Sequence, residues 1–372
     1  MSPSLRFPEF NGEWKNTTLE ECVDFLDGQR KPIKSDDRKG EKRLYPYYGA
    51  SGIIDYIDEY IFDGDYILLS EDGANIIDRN YRVAFIANGK IWVNNHAHVL
   101  QPHKEMNINF LSEALERINY AIYNTGTTMP KLNQEICRKI NLNVPSLSEQ
   151  NKIGNLLYLL NERIATQNRL IEDLKKLRCA IVEKMFKQSK ANGRLGDFIE
   201  QVSVRNKNGL YSNVLSVSNK QGFVKQSEQF EDRAVASEDT SNYKIVKRNN
   251  FAYNPARINV GSIARLTKFD VGIVSPMYVC FRTKASIIPE YMEAFFTSQQ
   301  FFYEMMKRLE GSVRLCLSYE GLCNIPVYIP DMNKQIAMGQ NISLILSKIG
   351  LEIEYLGRLH QQKQYLLRKM FI

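Results

Sequence analysis

"VPSLSEQNKIGNLLYLLNERIATQNRLIEDLKKLRCAIVEKMF" fills residues 144–186, and its reading decides the fold. Residues 329–371 read "IPDMNKQIAMGQNISLILSKIGLEIEYLGRLHQQKQYLLRKMF" and align with it without a gap (329 − 144 = 185). Nine of the 43 aligned positions are identical, among them Pro145 with Pro330, Gln150 with Gln335, Gly154 with Gly339, and the closing Lys-Met-Phe of both copies. Periodicity strengthens the match. Ile153, Leu157, Leu160, Ile164, Gln167, Ile171, Leu174, Arg178, Ile181 and Met185 recur at alternating steps of four and three, the a/d seam of a heptad repeat. The second copy supplies Met338, Ile342, Ile345, Ile349, Glu352, Leu356, Leu359, Lys363, Leu366 and Met370. Polar residues interrupt both seams at the same two places, Gln167 with Glu352 and Arg178 with Lys363. The reading is two long helices, each about 33 seam residues and ~50 Å long. Ser148 and Asn333, three residues after the prolines, are the expected caps. Each apolar stripe needs a partner. Heptad regularity favours the other copy, and the alternative is the globular segment preceding each helix.

Phe186 and Phe371 are expected to anchor the helix ends on a globular segment or a partner. Lys184 and Lys369 suit the negative end of a helix dipole.

The 372-residue chain is long enough for two or three domains with real cores. Its hydrophobic content is 44% and its charged content 24%, the balance of a globular protein in water. No apolar run suits a membrane span, the N-terminus carries no apolar signal core, and a cytoplasmic location is expected. The six cysteines form no C-x-x-C pair, which argues against a zinc ribbon and a disulfide framework. A formal charge of +7 is compatible with a polyanion partner without requiring one.

Segments 1–145 and 190–330 read as mixed α and β. Strands are expected at 65–70, 82–87, 91–100, 213–218, 251–255 and 272–282, and helices at 110–122 and 289–310. Tyr66 and Tyr253, on apolar strands, read as core. The halves align faintly with each other: Asp65-Tyr66 falls on Asn250-Phe251, and Gly126 falls on Gly311. The chain therefore reads as a tandem duplication with an α+β fold: globular, helix, globular, helix. Its segments are a first globular domain (1–145), a first long helix (146–189), a second globular domain (190–330) and a second long helix (331–372). Heads that diverge more than their helices suit one task performed on two targets.

The order of these elements carries a resemblance. "YGASGIIDYIDEYIFDGDYILLSEDGAN" (48–75), "WVNNHAHVL" (92–100), "TGTTMPKLN" (125–133), "VPSLSEQNKI" (144–153), "YNPARINVGSIA" (253–264), "GIVSPMYVCFR" (272–282) and "IPDMNKQIA" (329–337) together resemble the specificity subunits of type I restriction–modification systems. The resemblance covers the whole chain. It implies a non-catalytic subunit whose two recognition domains each bind half of a split DNA site in host defence. The resemblance implies that 1–145 and 190–330 are target-recognition domains, and that the spacer helices pair as an antiparallel intramolecular coiled coil about a pseudo-twofold axis, act as a ruler and bridge two methyltransferase subunits, which restriction subunits can join. S-adenosylmethionine would then belong to the methyltransferase partner, and ATP with magnesium to the restriction partner. This chain would hold no cofactor and no metal.

For base and phosphate contacts, exposed polar and basic side chains are the candidates. In the first head these are Tyr47, Tyr48, Ser51, Ser70, Glu71, Asn94, Asn95, His96, His98, Thr127, Thr128 and Lys131. In the second they are Ser216, Ser218, Lys220, Asn254, Arg257, Asn259, Ser275, Tyr278, Ser312 and Arg314. Arg257 and Arg314 lead the second set, because Arg is the commonest reader of guanine.

A self-contained methyltransferase or nuclease is the competing reading. "NPAR" (254–257) has only part of the Asn-Pro-Pro-aromatic pattern of amino-methyltransferases, lacking the second proline and the ring that stacks on a flipped base. "SEDG" (70–73) offers two carboxylates without the lysine spacing of a nuclease, and no phosphate-binding Walker loop is written. His96 and His98, placed on one strand face, lack a nearby cysteine or carboxylate to complete a metal set. A third reading, a coiled-coil adaptor for proteins, predicts no DNA sequence preference at all.

Overall fold

The computed structural model describes residues 2–38, 42–187, 190–219, 221–229, 239–312 and 314–372. Two helices dominate it, Leu147–Lys187 and Met332–Met370. Contacts divide the chain into two units, one of Met1–Asn168 with Glu354–Ile372 and one of Arg169–Ile353. Each unit therefore contains the start of one long helix and the end of the other. Both mix sheet and helix. Among the described residues no helix is long and apolar enough to cross a membrane.

In the first unit, β1 (Lys15–Thr18) pairs antiparallel with β8 (Asn141–Val144). The main sheet holds β2 (Val23–Phe25), β3 (Tyr45–Gly49), β4 (Gly52–Ile57), β5 (Phe62–Ser70), β6 (Ala84–Val93) and β7 (Ala97–Pro102) in the order β2-β7-β5-β6-β3-β4. Only β3 and β6 run parallel in it. Central β5 buries Tyr66 to Ser70 without a break, as a strand covered on both faces does. Its side chains alternate: Ile67 and Leu69 join the cluster around Phe110, while Tyr66 and Leu68 join the cluster around Val99.

The second unit has two four-stranded sheets. One orders β10 (Ile199–Gln201), β17 (Val279–Thr283), β14 (Phe251–Tyr253) and β15 (Ile263–Arg265), all antiparallel. The other orders β12 (Gly222–Lys225), β11 (Val214–Ser218), β16 (Val271–Val274) and β13 (Lys244–Lys247), with β11 and β16 parallel. Short β9 (Gly193–Arg194) and β18 (Pro326–Val327) pair beside them.

Several element boundaries differ from the sequence reading for local reasons. Residues 84–93 form one strand that passes through Gly89 at φ +73. The expected strand 91–100 breaks at Asn94–His96, because the Asn94 side chain accepts from His96 N (2.8 Å) and makes a turn. Segment 272–282 breaks likewise, with Tyr278 N donating to Ser275 O. Expected helix 289–310 is two helices, Pro289–Phe296 and Gln299–Met306, divided where Ser298 caps the second by accepting from Phe301 N (3.1 Å). Expected helix 110–122 is the helix Ile108–Glu116 followed by a 3₁₀ turn at Tyr120–Tyr123.

The long helices begin earlier than Ser148 and Asn333 allow. Their caps are Ser146 and Asp331, one residue after each proline: Glu149 N donates to Ser146 Oγ (3.4 Å) and Lys334 N to Asp331 Oδ1 (3.0 Å). A turn later, Gln150 and Gln335 make matching contacts. Gln150 Oε1 accepts from Asn107 N (2.9 Å) while its amide donates to Pro145 O and Glu105 O. Gln335 Oε1 accepts from Ile288 N (3.0 Å) while its amide donates to Pro330 O and Ser286 O. Gly154 and Gly339 follow. A Cβ on Gly154 would lie 2.3 Å from Asn107 Oδ1, and one on Gly339 2.9 Å from Glu290 Cβ. Glycine therefore lets the adjoining chain lie directly on each helix.

All the apolar seam positions are buried or half-buried. In the first unit Ile153 and Leu157 share one core with Trp14, Phe110, Leu367, Met370 and Phe371. In the second, Val182, Phe186 and Ile342 share one with Tyr291, Phe295 and Leu322. At its start each helix packs on the globular segment that precedes it, and at its end on the other one, Leu367 and Met370 on the first and Val182 and Phe186 on the second. Near the C-terminal end of the first helix the deepest residues are Val182 and Phe186, each one position past the strict heptad, while in the second helix Leu367 (6% exposed) is buried beside on-seam Met370 (3%). A straight helix of 3.6 residues per turn drifts by about 20° per heptad, which moves the seam to the neighbouring residue.

Candidate nucleic-acid interface

Four segments converge at one edge of the first unit's sheet. They are the β3–β4 turn with Ser51, the end of β5 at Ser70 and Glu71, the β6–β7 turn with Asn95 and His96, and the loop 125–131. Backbone bonds tie them together. Glu71 N donates to His96 O (2.9 Å), Leu132 N to Glu71 O (2.7 Å), Gly73 N to Pro130 O (3.0 Å) and Asn94 N to Tyr48 O (3.1 Å). Ser51, Asn95, His96, Thr127, Thr128 and Lys131 are exposed on these segments, and Tyr48 and Glu71 are half-buried. Burial, with Tyr56 nearby, pushes the Tyr48 phenol up.

The remaining candidates of the first head are committed internally. Tyr47 is core, its hydroxyl accepting from Ile33 N (2.9 Å) with Arg38 over its ring. Ser70 Oγ donates to Ala50 O (2.5 Å), and buried Asn94 shapes its turn. His98 is 1% exposed. Its Nδ1 faces Asp27 Oδ2 (2.6 Å) and its Nε2 faces Leu132 O (2.9 Å). Both partners only accept, so both ring nitrogens donate and the ring is an imidazolium. Burial opposes that charge, but the Asp27 carboxylate outweighs it and the pKa rises to about 10. His96 instead meets Asp72 (2.8 Å), so the two histidines do not share a face. Glu71 is neutralised by Arg30 (2.7 Å) and Lys131 (3.5 Å), which lessens its repulsion of phosphate.

In the second unit Ser216, Asn254, Arg257, Ser275 and Tyr278 line one cavity of about 330 Å³ with Gln226 and Tyr243. Arg257 is exposed at its rim and makes no ion pair among the described residues. Ser216 is buried, and so is Tyr278, whose hydroxyl accepts from Val217 N (3.3 Å). These two shape the cavity wall. Ser218 and Asn259 are half-buried, while Ser312 and Arg314 are exposed. Lys220 lies outside the described residues. The loop carrying Ser312 and Arg314 closes as the first unit's loop does: Cys316 N and Glu310 N bond each other's carbonyls (2.8 and 2.9 Å), and Thr125 N bonds Lys131 O (2.8 Å). Gly126 and Gly311 each open a turn so tight that a Cβ would strike the carbonyl oxygen three residues on, Met129 O at 1.8 Å and Arg314 O at 2.3 Å.

Residues 11–176 match the type I restriction modification DNA specificity domain. That segment, a little under half of the chain, is thus similar to the type I DNA specificity domain family. A Haemophilus influenzae protein named as a candidate type I restriction enzyme specificity subunit is 35% identical over 145 residues, 39% of this chain and 36% of that one. The Escherichia coli EcoprrI specificity subunit is 29% identical over 154 residues, 41% of this chain and 37% of that one. The matched part thus spans little more than a third of these relatives. The crystal structure of a type I restriction–modification S subunit from M. genitalium covers 100% of this chain and 99% of its own, with a TM-score of 0.67 at 18% identity. At that identity the likeness is one of fold.

Within the matched segment the sequence reading missed Asp27, Arg30, Asp72 and Gln134. Asp27 Oδ2 takes both His98 and Gln134 Nε2 (2.9 Å), and Arg30 bonds Glu71 and Ala97 O (2.8 Å). These side chains position the rim. Only the "SEDG" carboxylates hinted at them, and the cations that answer them lie far away in sequence.

Proposed function

We propose that the chain is the non-catalytic DNA-specificity subunit of a type I restriction–modification complex. Each unit reads one half of a bipartite site, the long helices set the gap, and the helices dock two methyltransferase subunits that restriction subunits can join. The observation that carries this reading is the recurrence of one contact scheme at matched positions: the Ser146 and Asp331 caps, the Gln150 and Gln335 clasps, and the loops closing at 125–131 and 310–316. Such recurrence supports a tandem duplication, with recognition domains at 1–145 and 190–330 and spacer helices at 146–189 and 331–372. It also supports antiparallel helix pairing, since Ile153 and Leu157 near one helix start meet Leu367 and Met370 near the other's end. A helix of ~50 Å matches on the order of 14 base pairs at about 3.4 Å each, so several unread base pairs separate the half-sites.

Exposed Ser51, Asn95, His96, Thr127, Thr128 and Lys131, with Tyr48, form the proposed contact surface of the first unit. Asn254, Arg257, Ser275, Ser312 and Arg314 form that of the second. S-adenosylmethionine, ATP and magnesium belong to the partners.

The test mixes the purified chain with its methyltransferase partner and S-adenosylmethionine and maps methylated DNA genome-wide. A split motif methylated only when both proteins are present supports the proposal. Methylation by the chain alone, or no sequence preference, refutes it. Arg257→Ala should weaken cognate binding by about 1–3 kcal/mol and relax discrimination at one base pair if Arg257 reads a base. A uniform loss across sequences assigns it to phosphate instead.

A further inference from the structure

The charged interruptions of the two helix seams are not left facing solvent. Lys363 Nζ lies 3.1 Å from Glu113 Oε1, on the helix Ile108–Glu116 of the first unit. Glu113 is 2% exposed. The same oxygen accepts from Arg82 Nη1 (2.7 Å) and from Asn161 Nδ2 (2.8 Å). One carboxylate oxygen thus gathers donors from the segment leading into β6, from the first long helix and from the second. Burial opposes the Glu113 charge, but Arg82 and Lys363 outweigh it and hold the carboxyl below its usual range.

The second unit has a looser counterpart. Arg178, the matching interruption, lies near Glu293 of the helix Pro289–Phe296 without pairing with it among the described residues, and Arg265 Nη2 holds that carboxylate at 2.9 Å. Arg178, Arg265 and Glu293 line a cavity of about 480 Å³, and Arg178 Nε is buried without a hydrogen-bond partner.

We propose that Glu113 with Lys363 is a positioning pair that seats the first unit at one register on the helix scaffold and so sharpens the preferred gap between half-sites. The inference rests on the two-half-site reading above. Its logic is that a buried ion pair adds little stability over apolar packing, whereas it strongly disfavours every arrangement that leaves a charge unpaired. An apolar seam tolerates a slip that brings one apolar residue in place of another. A seam bearing Lys363 does not, because only one placement brings its ammonium to an oxygen that Arg82 and Asn161 already fix. The cation also comes from the long helix of the other sequence half, so the pair selects which helix the first head sits on.

The experiment uses the complex reconstituted with the methyltransferase partner and DNAs whose half-sites lie at the native gap or one base pair shorter or longer. Wild type should methylate the native gap preferentially. Glu113→Gln and Lys363→Met should each reduce that preference about tenfold, the equivalent of ~1.4 kcal/mol. The double variant should be no worse than either single one, and Lys363→Arg should restore the preference. If Lys363→Met keeps the wild-type gap profile while its unfolding midpoint falls, the pair is merely structural and the proposal is overturned. A wild-type profile flat in gap length would overturn the two-half-site reading itself, and this inference with it.

Discussion

Four glycines in the long helices separate packing from helix propensity. Replacing an interior helix glycine by alanine gains about 1 kcal/mol where space is free. Gly350 and Gly357 have nothing within 4 Å of a built Cβ, so Gly350→Ala and Gly357→Ala should each stabilise the protein by up to about 1 kcal/mol. Gly154 is different. Its Cβ would come 2.3 Å from Asn107 Oδ1 and 3.0 Å from Phe110 N. That oxygen caps the helix Ile108–Glu116 by accepting from Phe110 N (3.0 Å), and losing such a cap costs ~1 kcal/mol. Overpacking adds about 1–3 kcal/mol, so the net effect of Gly154→Ala is a loss of roughly 1–3 kcal/mol. Gly339→Ala meets the Glu290 side chain at 2.9 Å and Ile288 Cδ1 at 3.0 Å, with no cap at stake. Its net loss should be smaller, up to about 2 kcal/mol. Urea unfolding followed by circular dichroism gives the four values. If Gly154→Ala stabilised as much as Gly357→Ala, the close seating of the head on the helix would be refuted.

His98 gives a pH dependence with a definite sign. Its folded pKa of about 10 stands above the model-peptide 6.5, so its contribution is fully present below pH 6.5 and is lost as pH rises through 10. The difference caps that contribution at roughly 5 kcal/mol. The stability gap between wild type and His98→Gln should therefore narrow between pH 7 and pH 9.5, and a constant gap in urea titrations would contradict the imidazolium. Phe371 stacks on Phe110 (5.2 Å) and meets Trp14 edge-on (6.2 Å), while Phe186 packs on Tyr291 (5.3 Å) and Phe295 (5.2 Å). Each Phe→Ala should cost about 3–5 kcal/mol. Hydrogen exchange should speed up around Phe110 for Phe371→Ala and around Phe295 for Phe186→Ala; the reverse pattern would refute the assignment of cores.

The long helices were legible because a heptad is a local pattern, and Phe186 and Phe371 were legible because the pattern repeats. Tyr66 and Tyr253, read as core from their apolar strands, are buried. Strand ends were less legible. The turns at Asn94–His96 and Ser275–Tyr278 interrupt apolar runs with one or two hydrogen bonds that leave no period behind. The rim was legible in its loops and not in its chemistry. Ser51, Thr127 and Arg314 are polar because they are exposed, but His98 and Ser70 are polar because they bond inward. One sequence shows both kinds alike, since their partners lie at distances such as 71 residues for Asp27 and His98.

The N-terminal strap has a consequence for exchanging the globular heads between proteins. Arg6 grips buried Glu149 through both carboxylate oxygens at 2.7 Å, Trp14 Nε1 adds a third bond to it (3.3 Å), and Leu5 N bonds Lys369 O (2.8 Å). The position matching Glu149 in the second copy is Lys334, which cannot accept such a grip. A graft of the first head cut at β1 would leave Glu149 buried without its cation, a fault worth about 3–5 kcal/mol. The exchangeable cassette on that side therefore begins with the strap, whereas the second head can be cut between its two helices. The two units thus obey different rules of transplantation.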